Sequence, residues 1–184
     1  GVFQMPTNAL KLKTCRLNDN SIESLAGAVA HGKKMGDQLT TLLLHGNKLK
    51  SIDSLLQDCC STLVHVETFT IHNNELESLP SALCEQLSHL EQFYIQNNKI
   101  KTLPSTIQVM KQLKELDCYH NEMTTIPDGV LGQLGNLEKL VLDDNKLMTI
   151  PIDIVNCTKL YYLSARNNPQ LKVSPFIRAM MVNK

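Results

Sequence analysis

The clearest pattern of apolar and polar positions lies in residues 137–151, which read LEKLVLDDNKLMTIP. Leucine or isoleucine fills positions 1, 4, 6, 11 and 14 of this stretch, and Asn145 fills position 9. The spacing of Leu140 and Leu142 is the two-residue period of a strand with one buried face. The asparagine amide can donate and accept hydrogen bonds, so it can pair backbone groups where the strand ends. The stretch therefore predicts a short strand followed by a turn.

The same pattern occurs seven times in register along the chain. The other copies align on Asn20, Asn47, Asn74, Asn98, Asn121 and Asn168. The intervals between successive asparagines are 27, 27, 24, 23, 24 and 23 residues. A unit of this kind cannot bury its apolar face alone and needs copies above and below it.

The spacing L-x-x-L-x-L-x-x-N-x-L resembles the leucine-rich repeat. This resemblance implies an α/β solenoid of about seven repeats, coiled right-handedly and curved. A parallel β-sheet is expected on its concave face, and short helices or extended segments on its convex face.

From Leu79 onward each connection after a strand opens with an apolar residue and a proline. These pairs are Leu79-Pro80, Leu103-Pro104, Ile126-Pro127 and Ile150-Pro151. Because proline fixes its own φ and keeps the preceding residue extended, each convex segment should start extended and continue as a short helical turn. Repeats of 23 or 24 residues with this opening resemble those of intracellular Ras-suppressor-like and plant Ras-group leucine-rich repeat proteins, over about residues 63–170. That resemblance implies a role in protein assembly or regulation, and no catalysis.

The repeats run through nearly the whole chain without a linker, which predicts one domain over residues 1–184. We expect residues 1–11 to be an N-terminal cap or a degenerate repeat, 12–171 the repeats, and 172–184 a C-terminal cap or the start of a further segment.

Three connections in this domain are expected to be helical. The long connection over residues 22–38 predicts one helix, and the amphipathic residues 52–63 predict another. In the tail, a closing helix could cover the last repeat with Phe176, Ile177, Met180 and Met181. The alternative is that the tail leads into a further repeat or domain.

Charge and hydropathy exclude several functional classes. The chain has 18 basic and 18 acidic residues, so its net charge of zero gives no general attraction for nucleic acid or an anionic membrane. No apolar run approaches the length of a membrane span, so no membrane insertion is expected. The chain starts at Gly1 rather than Met, and a removed signal peptide stays open as an alternative.

The six cysteines are better explained as core residues than as disulfides. Cys15 and Cys118 occupy leucine positions of strands, and Cys157 takes an apolar position of a convex turn. Cys59 and Cys60 could form a redox or disulfide pair, although Cys59 also suits the apolar face of a helix. The clustered cysteines that cap extracellular members of the family are missing, so a cytoplasmic, reducing location is expected.

The strand residues at positions 2, 3, 5, 7 and 8 should point to solvent on the concave side, because positions 4 and 6 form the core. All four tyrosines of the chain fall in these outward columns. Tyr and Arg often carry interface energy, so we expect a protein partner to bind repeats four to seven. The expected contact residues are Tyr94, Asp117, Tyr119, His120, Val141, Asp143, Asp144, Tyr162 and Arg166. The plainer alternative is that tyrosine simply suits strands and the face is only solvated.

Two chemical alternatives concern histidines of the same face. His45 and His72 occupy one column of adjacent strands and could coordinate a metal ion between them. His120, with Asp144 and Asp117 near it, could be a base held by carboxylates. No nucleophile, oxyanion hole or nucleotide-binding motif accompanies them, so we expect no cofactor, no metal and no enzymatic activity.

The sequence leaves three functional hypotheses. The first is a monomeric, non-catalytic module that binds a protein partner on its concave face as a scaffold or regulator. The second is the recognition domain of a larger signalling enzyme, such as a kinase, GTPase, phosphatase or ubiquitin ligase. The third is a fragment of an extracellular receptor ectodomain, for which Asn156-Cys157-Thr158 would be a glycosylation sequon.

Overall fold

Seven parallel strands form one open sheet in the order of the chain. The computed structural model describes residues 12–26, 38–59 and 63–182 of the 184 residues. The strands are β1 (Thr14–Arg16), β2 (Thr41–Leu43), β3 (Thr68–Thr70), β4 (Gln92–Tyr94), β5 (Glu115–Asp117), β6 (Lys139–Val141) and β7 (Tyr162–Ser164). This architecture is the predicted solenoid, with the sheet on its concave face.

The strands pair position by position, as the alignment on asparagine predicts. Leu116 pairs with Leu140, and Asp117 pairs with Val141. The central residue of every strand is buried, whereas the first residue of each is more exposed. The predicted register is therefore confirmed along the whole sheet.

From Asn47 onward, the asparagines at position 9 join each repeat to the one before it. Asn121 donates from Nδ2 to the carbonyl oxygens of Ile95 and Cys118, at 3.1 and 3.2 Å. Its Oδ1 accepts a hydrogen bond of 3.0 Å from the backbone N–H of Ile100 in the preceding repeat. Asn98 and Asn121 are both 7% exposed, so the predicted inward orientation is confirmed. One polar side chain thus satisfies three buried backbone groups where the strand ladder stops.

The convex segments begin as the prolines predict. Pro80 and Pro104 are extended, with ψ of 140° and 143°. Short helical segments follow, namely α2 (Ser81–Gln86) and the 3₁₀ segments Ser105–Val109, Leu131–Gln133 and Ile152–Asn156. Each helical segment packs an apolar side chain, such as Ile107 or Ile154, against the core.

The amphipathic stretch before β3 forms α1 (Asp53–Cys59), which confirms the second predicted helix. The first predicted helix, over residues 22–38, falls mainly on residues 27–37 and lies outside the described residues. The suggested pairing of Cys59 with Cys60 also lies outside them, because nothing is described of the Cys59 side chain or of Cys60.

The core is a continuous apolar ribbon between the sheet and the convex segments. Phe69 and Phe93 stack at its centre, with ring centroids 5.6 Å apart. Cys15, Cys118 and Cys157 are buried free thiols, as predicted from their positions. Burial raises the pKa of the Cys15 and Cys157 thiols to about 11, which keeps them protonated at neutral pH.

The C-terminal helix α3 (Pro175–Val182) packs on the last repeat, as predicted for the tail. Ile177 is 1% exposed, and Met180 and Met181 pack against the core. The prediction for Phe176 is wrong, because its side chain is 75% exposed. Consecutive helical residues point about 100° apart, so seating Ile177 inward turns Phe176 outward. No helix within the described ranges is long and apolar enough to cross a membrane.

Candidate protein-binding face

The pleat of the strands directs the side chains at positions 3, 5 and 7 to the concave face. Because successive strands pair at equal positions, each position forms a column across the sheet. The column at position 5 contains Arg16, Leu43, Thr70, Tyr94, Asp117, Val141 and Ser164. The repeats therefore place side chains that are distant in sequence next to each other.

Tyr94 is held on this face by a carboxylate of the next strand. Its hydroxyl donates a 3.0 Å hydrogen bond to Glu115, and Lys139 lies 3.8 Å from the same carboxylate. Burial, with the hydrogen bond to Glu115, raises the pKa of Tyr94 to about 12. Glu115 orients the tyrosine ring, a role that the sequence analysis did not assign to it.

Three aspartates and Tyr119 lie on β5 and in the turns after β5 and β6. Asp117 accepts a 2.9 Å hydrogen bond from the backbone N–H of Tyr119. Burial raises the pKa of Asp117, and the nearby Asp143 adds to that effect. The carboxylate of Asp144 raises the pKa of Tyr119. The hydrogen bond from Tyr119 and the charge of Lys139 oppose the rise in the pKa of Asp117, so Lys139 partly balances the negative charge of this area.

Tyr162 and Arg166 lie at the end of the sheet, on and after β7. Lys139 Nζ lies 6.0 Å from the centroid of the Tyr162 ring, at the edge of cation–π range. Arg166 is exposed, and its backbone N–H donates to Asp143. Both residues line a cavity of about 120 Å³ that Met180 and Met181 of α3 close on the other side.

Val141 is not available to a partner in the way the sequence analysis expected, because it is only 9% exposed. Thr70 and Ser164, in the same column, are 8% and 5% exposed. Thr70 lies 2.7 Å from His45, and Ser164 lies 2.6 Å from Asp143, so side chains at position 7 contact these short residues of the column. Tyr94 and Asp117 reach further from the sheet and remain half-buried.

Position 8 has a backbone role that the sequence analysis missed. All seven residues at this position have positive φ, between 50° and 67°: Asp19, Gly46, Asn73, Asn97, His120, Asp144 and Asn167. Glycine, asparagine, aspartate and histidine are the types that best tolerate this conformation, so the composition of the column was the available signal. The positive φ of the turn therefore explains, at least in part, why histidine and aspartate occur at residues 120 and 144.

His45 and His72 stack face to face, with ring centroids 4.3 Å apart and ring planes 12° from parallel. His45 Nδ1 lies 2.7 Å from the Thr70 hydroxyl, and its Nε2 lies 3.8 Å from Asp19. A metal ion binds in the plane of an imidazole, and two nearly parallel planes do not meet at one ion. Within the described ranges, no three His, Cys, Asp or Glu side chains are grouped so as to hold a metal.

The stacked pair predicts a pH dependence of stability. Burial, and then the charge of His45, lower the pKa of His72, whereas Asp19 opposes them. A histidine whose pKa is lowered by folding stabilises the fold above its unfolded pKa of about 6.5, and that contribution is lost as the pH falls through the folded pKa. We expect the free energy of unfolding to fall between pH 7 and pH 5, and to fall less in His72→Gln, in urea titrations at both values.

His89→Gln is the matched control, since His89 is exposed and lies outside the pair. Its pH dependence should equal that of the wild type. An unchanged slope in His72→Gln would contradict the assignment to the stacked pair.

The surroundings of His120 differ from those of a catalytic base that carboxylates hold in place. Its ring is exposed and tilts against Tyr119, with centroids 5.8 Å apart. Among the described contacts, no hydrogen bond or ion pair joins His120 to Asp117 or Asp144. The face therefore combines half-exposed tyrosines with carboxylates, a surface suited to recognition.

A family model described as "Leucine rich repeat" matches residues 64–123 and 111–169 of the chain. The search of curated proteins gave no significant match.

Solved structures show the same fold at low sequence identity. A leucine-rich repeat protein of Leptospira interrogans is 23% identical, with a TM-score of 0.68 over 97% of this chain and 50% of its own. An internalin, InlF of Listeria monocytogenes, is 21% identical, with a TM-score of 0.68 over 92% of this chain and 49% of its own. A chain of the Drosophila Toll–Spatzle complex is 22% identical, with a TM-score of 0.73 over 93% of this chain and 24% of its own. This chain thus spans about half the length of the first two.

Proposed function

Since the chain belongs to the leucine-rich repeat family, we propose that it is a non-catalytic interaction module that binds a protein partner on its concave face. Repeat solenoids present an extended surface whose outward residues can vary without changing the core. Function therefore depends on the columns of side chains that the repeats leave exposed, and not on a catalytic pocket.

The observation that carries this proposal is the group of tyrosines on the later strands. Tyr119 and Tyr162 are 39% and 40% exposed, and Tyr94 is half-buried on the same face. A tyrosine buries a large amphipathic area with little loss of rotamer freedom, so it is a frequent energetic centre of interfaces. The footprint comprises Tyr94, Asp117, Tyr119, His120, Asp143, Asp144, Tyr162 and Arg166. Val141 supports this surface from beneath.

A pull-down with wild-type protein and a Tyr94→Ala/Tyr119→Ala variant tests the proposal. Removing a hot-spot tyrosine costs about 1–3 kcal/mol, so partner recovery should fall by about tenfold or more. Both side chains lie outside the continuous core, so the far-UV circular dichroism spectrum should stay the same.

Tyr161→Ala is the matched control. Tyr161 is the most exposed of the described tyrosines but lies outside the footprint, so its replacement should leave recovery within about twofold of the wild type. Equal recovery by the double variant and the wild type would place the binding site elsewhere.

A scaffold or regulator in a reducing, intracellular setting is the context that we propose. The four described cysteines are buried free thiols, and the proline-led repeats resemble those of intracellular Ras-suppressor-like proteins. The alternative is a fragment of an extracellular receptor ectodomain. A thiol titration of the purified denatured protein separates the two, since six free thiols would exclude a disulfide-capped ectodomain.

A further inference from the structure

We propose that the concave face of repeats five and six receives a basic segment of the partner, with Lys or Arg side chains seated between aspartates and tyrosines. This inference rests on the proposed function and names the chemistry of the partner at that site. The acceptor residues are Asp117, Asp143 and Asp144, and the aromatic walls are Tyr94, Tyr119 and Tyr162. We refer to these six residues as the acidic tyrosine face.

Charges around the acidic tyrosine face are distributed unevenly. Each of the seven lysines between residues 92 and 168 already has a protein partner: Lys99, Lys101, Lys111, Lys114, Lys139, Lys146 and Lys159. Among the described residues, no lysine or arginine forms an ion pair with Asp117, Asp143 or Asp144. The fold thus pairs its lysines with other groups, and among the described residues the three aspartates lie together without an ion pair, with Lys139 acting on Asp117 only through its charge.

The three aspartates are also held in place, which favours binding over simple solvation. The single O–H of Ser164 donates to the Asp143 carboxylate, with Oγ 2.6 and 2.8 Å from its two oxygens. Asp144 accepts one of 2.8 Å from Asn167, and Asp117 accepts one from the backbone of Tyr119. A carboxylate has about four lone-pair sites, so each can still accept a hydrogen bond from a cation. Preorganised carboxylates lose less freedom when a guanidinium or ammonium group binds.

The chain contains its own example of this mode of recognition. Lys139 lies between Glu115 and Tyr162 in one column, 3.8 Å from the Glu115 carboxylate and 6.0 Å from the centroid of the Tyr162 ring. A cation near a carboxylate and an aromatic face gains from both interactions. Asp117, Asp143 and Asp144 lie near Tyr119, and no described lysine forms an ion pair with them. A basic side chain of the partner would complete the arrangement.

An extended protein segment fits this surface better than a compact anion or a nucleic acid. Adjacent strands are about 4.8 Å apart, so one extended peptide that crosses them can reach Asp117 on β5 and both Asp143 and Asp144 after β6. A phosphate backbone would be repelled by the same three carboxylates. Charge complementarity therefore selects a cationic peptide as the occupant.

Fluorescence anisotropy with two labelled twelve-residue peptides tests this inference. One peptide repeats Gly-Arg-Ser and the other repeats Gly-Glu-Ser, each at about 150 mM salt, where long-range attraction is screened. The wild type should bind the arginine peptide at least about tenfold more tightly than the glutamate peptide. Equal binding of both, or tighter binding of the glutamate peptide, would overturn the inference.

A matched pair of triple variants separates a specific face from net charge. Asp117→Asn/Asp143→Asn/Asp144→Asn keeps shape and hydrogen bonds, and asparagine also tolerates the positive φ at residue 144. This variant should lose about tenfold or more in affinity for the arginine peptide. Glu75→Gln/Glu77→Gln/Glu122→Gln removes the same charge from ion pairs elsewhere and should stay within about twofold. Equal losses of affinity in both variants would show that net charge alone causes the effect, and would overturn the inference.

Testing the natural partner in the same variants distinguishes this inference from the proposed function. If Tyr94→Ala/Tyr119→Ala loses the partner but the triple asparagine variant retains it fully, the result supports binding on the concave face and overturns the proposal of a basic segment. Loss with both supports both. Retention with both would overturn both.

Discussion

Replacing Asn121 with alanine is expected to lower the free energy of unfolding by about 3–5 kcal/mol, because several buried backbone groups lose their partner at once. The side chain of Asn121 bonds the carbonyl oxygens of Ile95 and Cys118 and the N–H of Ile100. Alanine can replace none of these bonds, and the site is 7% exposed, so water reaches it poorly. Urea unfolding followed by far-UV circular dichroism measures the loss.

Asn20→Ala is the matched control, with the same residue at the same repeat position. Asn20 is exposed, and among the described residues its amide bonds only to carbonyls of its own turn, those of Leu17 and Asn18. Its replacement should cost about 1 kcal/mol or less. Comparable losses in the two variants would show that bonding between repeats is not the source of the stability.

The elements that the sequence predicted well are those fixed by the repeat itself. Leu140 and Asn145 have equivalents in every turn, and a solenoid can stack only if equivalent positions meet. One register therefore explains the strands, the buried asparagines and the extended start at each proline. Each of these features is local to a repeat and is reinforced by its neighbours, so the pattern alone was sufficient.

The features that the sequence did not predict concern how deeply individual side chains are buried. Val141 and Tyr94 share one column, but Val141 is buried whereas the longer side chain of Tyr94 is only half-buried. Phe176 and Ile177 are adjacent apolar residues of α3, and the packing of the helix decides which of them is buried. Periodicity gives the direction of a residue and not its depth.

The candidate face was located by the columns, but its chemistry needed the strand pairing. Tyr94 and Glu115 are 21 residues apart, and their hydrogen bond follows from the pairing of β4 with β5. That Asp117 and Asp143 form no ion pair with a described lysine becomes apparent only after each nearby lysine has been assigned its partner. His120 and Asp144 carry a second signal, since positive φ restricts their position to a few residue types.

Replacing Phe93 with alanine is expected to lower the free energy of unfolding by about 3–5 kcal/mol, the range for a fully buried phenylalanine. Phe93 is 0% exposed, and its ring stacks on Phe69 with centroids 5.6 Å apart. These are the only phenylalanines in the strand core of the described residues, and both fill space that leucine fills in other repeats. The cavity would lie at the junction of repeats three and four, where rigid strands on both sides limit its collapse. Denaturant unfolding again measures the loss.

Phe176→Ala removes the same atoms from the surface of α3, where the side chain is 75% exposed. This control should change the free energy of unfolding by no more than about 0.5 kcal/mol, since little apolar area leaves water there. Leucine at residue 93 should restore most of the stability, because leucine fills the equivalent position in repeats five to seven, at Leu116, Leu140 and Leu163. A small loss in Phe93→Ala, or an equal loss in Phe176→Ala, would contradict a core centred on the stacked pair. Near-native stability of Phe93→Leu, together with a large loss in Phe93→Ala, would show that filled volume stabilises the core and that residue 93 needs no aromatic ring.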